Sequence, residues 1–142
     1  METSQFSKEE IKLIQYSFKT LTSKSKHVGE KFYKRLFDAN PEMAKLFRGD
    51  MKDQAGHLMR MVKTVVEGLN NPQIILPAIQ DLGRRHQEYG VEAEQYKIFG
   101  DLLIASIEEE LENDFNSATK KAWQKLYSVL AEEMKSNHYV EK

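Results

Sequence analysis

Three residues of this 142-residue chain have types and settings suited to chemistry: His86, Gln54 and Tyr33. His86 follows Ile79 and Leu82 at helical spacing. At about 100° per residue, the mean direction of Ile79 and Leu82 lies only about 10° from that of His86. His86 therefore points inward from an apolar stripe, and Arg84 and Arg85 point away, toward solvent or a pocket rim. An inward neutral imidazole is a good iron ligand. Its other ring nitrogen can donate to a backbone carbonyl one turn earlier, such as that of Leu82, which fixes the tautomer. The same placement also suits a core histidine satisfied within the fold.

Gln54 is the second inward polar group. It lies about 35° from the mean direction of Leu58, Met61, Val62, Val65 and Leu69, and His57 lies about 95° from it. Gln54 thus begins the buried face and His57 sits on its flank. A buried amide must be paired, and a helix-start Gln can alternatively reach water. Tyr33 lies in the run Phe32-Tyr33-Lys34-Arg35-Leu36-Phe37, beside the face formed by Phe32 and Leu36. A core tyrosine needs a partner for its hydroxyl, whereas a boundary tyrosine gives it to water.

Other chemistries find little support. The chain has no cysteine, which excludes a disulfide scaffold, a Cys-bound zinc, an iron–sulfur cluster and a thiol nucleophile. It has no His-Glu-x-x-His, no Gly-x-Ser-x-Gly and no glycine-rich phosphate loop. A net charge of −1 gives no basic field for nucleic acid. The acidic run Glu108 to Glu112 reads as a solvated helix face. Met51, Met59, Met61 and Met134 read as fillers of core or edge gaps. The N-terminus lacks the apolar stretch of a signal peptide, and no apolar run approaches the roughly 20 residues of a membrane span. The expected location is cytoplasmic, with no membrane partner.

The elements that must position these residues are helical. Ser7 and Glu10 form a capping box before Ile11, Ile14, Phe18 and Leu21. A second helix carries Val28, Phe32, Leu36 and Phe37. Asn40-Pro41 starts a short third helix to about Phe47. Arg48–Asp53 reads as a loop into the helix of Leu58 to Leu69. Asn70-Asn71-Pro72 breaks that helix, and Pro77 is expected in the first turn of the next, which ends near Gly90. Two long helices follow, one through Tyr96, Phe99, Leu103, Ile107 and Leu111, the other through Trp123, Leu126, Tyr127, Leu130 and Met134. The reading is an all-α fold of about seven helices around one core, a single domain over 1–142 whose last residues, Asn137 to Lys142, form a fraying tail.

In this order and spacing the chain resembles the globin family, in particular single-domain bacterial globins of the Hell's Gate type and the haem domain of flavohaemoglobins. Phe32-Tyr33 with Leu36-Phe37 resembles the second globin helix. Asn40-Pro41-Glu42 through Leu46-Phe47 resembles the proline turn and its haem-stacking Phe. Leu82-Gly83-Arg84-Arg85-His86 with Tyr89-Gly90-Val91 resembles the proximal-histidine segment. Tyr96 through Phe99-Gly100, and Ala122-Trp123 through Tyr127, resemble the last two helices.

The resemblance implies a globin fold holding haem b, iron protoporphyrin IX, with His86 as the proximal metal ligand. Phe47 would pack on the porphyrin, and Leu82, Val91 and Phe99 would line it. Tyr33 and Gln54 would form the distal polar pair, with Leu58 as the apolar neighbour of the gas. Arg85 and His57 are candidate partners of the propionates. Tyr96 matches a tyrosine that supports the proximal histidine in flavohaemoglobins. Their supporting Glu near the end of the last helix falls here, by an ungapped count from Trp123, on His138.

The implied function is reversible, high-affinity dioxygen binding, for storage, delivery or scavenging. The alternative is an enzyme, a nitric oxide dioxygenase that would need an external reductase, since the chain is too short for a fused flavin domain. A monomer or weak homodimer is expected. Rotation or a one-turn slip of the distal helix would instead bring His57 to the iron.

Overall fold

The computed structural model describes residues 6–24, 27–47, 49–88 and 90–140. Six α-helices make up the frame: α1 (Lys8–Lys24), α2 (Val28–Ala39), α3 (Met51–Glu67), α4 (Pro72–Glu88), α5 (Ala93–Leu111) and α6 (Ser117–Val140). With the 3-10 helix Pro41–Leu46 they give the seven helices expected, and no strand occurs among the described residues. Two further 3-10 turns, Gly68–Asn70 and Glu112–Asp114, follow α3 and α5.

Local chemistry starts these helices. The Ser7 N–H donates to Glu10 Oε1 at 2.8 Å and the Glu10 N–H to Ser7 Oγ at 3.1 Å, the reciprocal box expected before α1. Asp50 caps α3 by accepting from the Lys52 N–H at 2.8 Å. Glu92 and Gln95 box the start of α5, and Asn116 Oδ1 accepts from the Thr119 N–H at the start of α6. Pro41 sits in the first turn of its 3-10 helix.

Two boundaries differ from expectation. Met51 is already in α3, because the Asp50 cap starts the helix inside the expected loop. Pro72, and not Pro77, opens α4. Pro77 lies in the helix on an exposed face, while Ile75 and Ile79 are buried on the other side. Their burial offsets the hydrogen bond that Pro77 cannot donate. Ile75 also seats against Gly68, where an added Cβ would lie 2.4 Å from Ile75 Cγ2.

α2 packs on α3 and α5, α4 packs on α6, and α1 packs on α3, α5 and α6. The core runs through Ile14, Leu21, Phe32, Leu36, Ile79, Ile107 and Leu111, all almost completely buried. Trp123 Nε1 donates to Ser17 Oγ at 2.8 Å, and the Ser17 hydroxyl turns back to the Leu13 carbonyl at 2.6 Å. That chain satisfies two buried polar groups where α1 meets α6. The expected solvated acidic face is met by cations: Glu108 pairs with Lys120, Glu109 with Arg35 and Glu110 with Lys31. Met51, Met59 and Met61 pack half-buried against the core and Met134 is buried in it, as gap fillers do. α6 continues through Asn137–Val140, where a tail was expected, and Glu141 and Lys142 lie outside the described residues. No helix among the described residues is long and apolar enough to cross a membrane.

Candidate functional site

α3 and α4, linked by a single 3-10 turn, do not pack closely on each other, and neither do α4 and α5. α3 and α4 each carry half-buried apolar side chains, Leu58 on α3 and Leu82 on α4. Phe47, Val91 and Phe99 are half-buried as well. Such side chains still have area to lose to water, which a flat apolar ligand would cover.

On α4 the His86 ring is held from two sides. Its Nδ1 lies 2.8 Å from the Leu82 carbonyl. A carbonyl only accepts, so Nδ1 carries the proton and the lone pair of the neutral ring is on Nε2. The Tyr96 ring lies nearly parallel to the imidazole, 5.9 Å away with 22° between the planes. Burial pushes the Tyr96 phenol up to about 12. Just beyond His86 the helix is closed off by Gly90, whose φ of +84° suits a residue without Cβ. The Val91 N–H donates to the His86 carbonyl and the Gly90 N–H to the Gln87 carbonyl, both at 3.0 Å. This is the Schellman pattern, and it ties the backbone of His86 itself. Tyr89, which belonged to the expected proximal segment, lies outside the described residues, as do Arg48 and the side chain of His138.

α2 supplies Tyr33, which is 4% exposed. Its ring sits among three phenylalanines: Phe32 at 4.9 Å, Phe37 at 5.8 Å and Phe47 at 5.2 Å between centroids. Among the described residues its hydroxyl makes no hydrogen bond. Burial pushes this phenol up to about 12, so it stays a neutral donor. Phe47 follows the 3-10 helix on extended backbone and also touches Phe37, at 5.5 Å.

The crossing of α2 and α3 sets the position of Gln54. A Cβ added to Gly29 would lie 3.0 Å from Ala55 Cβ, 3.1 Å from the Ala55 oxygen and 3.2 Å from Met59 Cγ. The two backbones therefore meet at Gly29, one turn before Tyr33 and beside the residue that follows Gln54. Gln54 is half-buried in the first turn of α3. His57 is exposed, and its Nδ1 accepts from Arg60 Nη2 at 2.8 Å on the outer flank of the helix. Arg85 is exposed and held by Asp81, with Nη2 at 2.7 Å and Nε at 3.0 Å from one carboxylate oxygen; Arg84 pairs with the other.

Sequence reasoning overlooked what joins the surroundings of His86 and Tyr33. Phe99 on α5 meets Phe32 edge-on at 4.7 Å and stacks on Tyr127 at 6.5 Å and 19°. Tyr127 on α6 donates its hydroxyl to the Tyr96 carbonyl at 2.5 Å. Helical periodicity placed Tyr127 in the core but gave no sign of that acceptor. Gly29 gave little signal, because it stands in the first turn of α2, where the helix-interior penalty on glycine does not apply.

The residues present fit a haem. The donor set offers one half-buried imidazole whose Nδ1 is turned to a backbone carbonyl, a half-buried apolar and aromatic set, and a phenol that makes no hydrogen bond among the described residues. Among the described residues no group of three or more His, Asp or Glu could hold a bare metal ion.

Comparison with known proteins agrees with this frame. The Globin family model matches residues 30–134. The flavohemoprotein of Rhizobium meliloti (strain 1021) is 34% identical over 104 residues, which cover 71% of this chain and 26% of that protein. The flavohemoprotein of Halalkalibacterium halodurans is 25% identical over 135 residues, 93% of this chain and 33% of that one. The chain thus spans about a quarter to a third of the length of these relatives. Among solved structures, a bacterial globin from Campylobacter jejuni superposes with a TM-score of 0.79 at 23% identity, covering 95% of this chain and 99% of that one. An engineered carbene transferase, described as a proposed nitric oxide dioxygenase from Rhodothermus marinus, superposes with a TM-score of 0.82 at 24% identity, covering 96% of each chain. With the family model matched over most of its length and the same helical frame in solved relatives, this chain belongs to the globin family.

Proposed function

We propose that this globin holds haem b through His86 and binds dioxygen reversibly and tightly between Tyr33 and Gln54. The observation that carries the reading is the Tyr33 hydroxyl, set on a buried ring with no hydrogen bond to a described residue. Its oxygen is not among the fully buried polar atoms that lack a partner, so an unbonded donor on a buried ring stays open to a group that enters. When bound, haem would supply an iron centre able to take a diatomic gas. His86 offers Nε2 because Nδ1 is committed to Leu82. Phe47, Leu58, Leu82, Val91 and Phe99 keep the surroundings apolar, which strengthens each donor bond to the gas. Tyr33 and Gln54 supply those donors, each contributing about 1–3 kcal/mol in a dry pocket.

The ferrous absorption spectrum tests the proposal. The expected result is haem uptake with a five-coordinate ferrous spectrum that turns reversibly into that of an oxygen complex. His86→Ala should lose that spectrum and regain it with added imidazole. A His86→Ala protein with the parent's ferrous spectrum would remove the assignment.

A second reading is supported by the likeness to flavohemoproteins: nitric oxide dioxygenase activity with electrons from an external reductase. The same two donors serve it. Sustained nitric oxide consumption with a cell-derived reductase and reduced pyridine nucleotide would favour this reading, and a single slow turnover would exclude it.

A further inference from the structure

The first half of α4 carries no charge. The stretch from Pro72 to Gln80 reads Pro-Gln-Ile-Ile-Leu-Pro-Ala-Ile-Gln, in a chain where 30% of residues are charged. Ile75 and Ile79 are buried on one side of it. On the other side Ile74, Pro77 and Ala78 are all exposed, at the i, i+3, i+4 spacing of one helix face. Among the described residues, the two large side chains of apolar body left exposed are Ile74 and Tyr16, each at 71%. One junction brings their helices to the same corner of the fold. Gln15, next to Tyr16 on α1, donates to the Asn70 side-chain oxygen at 2.9 Å and to the Val66 carbonyl at 3.0 Å. Asn70 in turn closes the 3-10 turn that leads into α4.

α1 adds charge to this corner. Lys8, Lys12, Tyr16 and Lys19 share its exposed face, within about 80° of one another. None of these lysines makes an ion pair among the described residues. On α2, by contrast, Lys31, Lys34 and Arg35 each hold a carboxylate. Glu9 lies about 65° off the lysine stripe, and Glu67 is exposed at the end of α3; against the lysines they leave a positive balance. A single exposed apolar side chain is ordinary on a protein surface. Here an uncharged apolar face stands beside lysines without partners, which is the apolar centre and charged rim of an interface.

We infer that the outer face of α4, with Tyr16 and the lysines of α1, docks a partner protein whose own surface is acidic around an apolar side chain. A membrane surface fits less well, since the lysines of this stripe fall short of the cluster of about 4–8 that holds a segment to anionic lipid. A second copy of the chain fits less well too, since a two-fold contact through Tyr16 and Ile74 would bring two lysine stripes to one rim. The inference is independent of the haem reading, because none of these side chains belongs to the candidate haem site.

The probe is a synthetic helical peptide with Leu on one face and Glu on the other, with a control peptide carrying Lys in place of every Glu. In amide NMR spectra the Glu peptide should shift the signals of Lys12, Tyr16, Ile74 and Ala78, with an affinity that falls as salt rises. The Lys peptide should leave them in place. Ile74→Ser, and Lys12→Glu combined with Lys19→Glu, should each weaken binding of the Glu peptide by about tenfold or more. These side chains are exposed, and an unchanged circular dichroism melting curve verifies that the variants keep the fold. Equal binding of both peptides, or shifts confined to other surfaces, overturn the inference. Sedimentation with phosphatidylserine vesicles that is lost on reversing Lys12 and Lys19, without binding of the Glu peptide, assigns the corner to lipid and overturns it as well. So does a parent dimer abolished by Ile74→Ser. Should the parent protein take up no haem, the haem reading fails, while the peptide shifts still decide the docking surface.

Discussion

Replacing Tyr33 by Phe should move stability and ligand release in opposite directions. The ring is 4% exposed among Phe32, Phe37 and Phe47, and its hydroxyl has no partner among the described residues. A fully buried unpaired hydroxyl costs about 1–3 kcal/mol on the scale of protein mutational data, and this oxygen, which is not among the fully buried atoms without a partner, falls at the low end. The same environment raises the phenol from 10.0 to about 12, because burial disfavours the ionised form. Phe fills the same volume without the hydroxyl. Haem-free Tyr33→Phe should therefore gain about 1 kcal/mol in a denaturant titration, or about 3 °C in melting temperature for a chain of this size. With the ligand present the balance reverses. Loss of one donor bond worth about 1.4–3 kcal/mol should speed oxygen dissociation by about 10- to 100-fold in stopped-flow measurements. A Phe variant that loses 1 kcal/mol or more (on the order of one structural hydrogen bond) and releases oxygen at the parent rate would refute the reasoning, because the hydroxyl would then serve the fold.

Three further outcomes follow. His57→Ala should leave the ferrous spectrum unchanged, since that imidazole is exposed and engaged by Arg60; a change in spin state would place it at the metal. Gly29→Leu should destabilise by about 3 kcal/mol or more in a denaturant titration, since even a single Cβ there is 3.0 Å from Ala55 Cβ, and overpacking of this kind costs about 1–3 kcal/mol before further atoms are added. Stability should fall at alkaline pH. Tyr33, Tyr96 and Tyr127 are all raised above 10.0 in the folded state by burial, so the unfolded chain gives up these protons first. Their contribution is whole below about pH 10; that of Tyr33 and Tyr96 is lost as pH rises through about 12, and that of Tyr127 persists higher still. Phenolate absorbance rising in parallel with unfolding would support this, and full ionisation near pH 10 in folded protein would contradict it.

Much of the frame was legible because local chemistry governs it. Ser7 and Glu10 announce α1 by residue type and spacing alone. The facing arithmetic put His86 and Gln54 inward and His57 on the flank, and their burial follows that order. The hydrogen bond from His86 to Leu82 was also open to reading, since it spans one helical turn. Pro77 misled because packing of Ile75 and Ile79 outweighs the local preference for a proline at a helix start. The link from Tyr127 to Tyr96 was beyond reach. It joins residues 31 apart, and a tyrosine that packs gives the same periodic signal as one that also donates. The pairing of Arg85 with Asp81 was within reach as an i, i+4 pair on one helix and was overlooked in favour of an outside partner.

The contact of Gly29 with Ala55 and Met59 has a consequence for how this protein can change. Backbones that meet at van der Waals distance carry part of the register of α2 against α3 in the main chain, whichever side chains stand at Gln54 or Leu58. Those two positions are thereby relieved of part of the work of holding the frame. Evolution or an engineer can exchange them for other polar or apolar groups, one at a time, while the helices stay in place. A lineage that keeps the glycine can explore new ligands cheaply, and one that loses it must rebuild the crossing first.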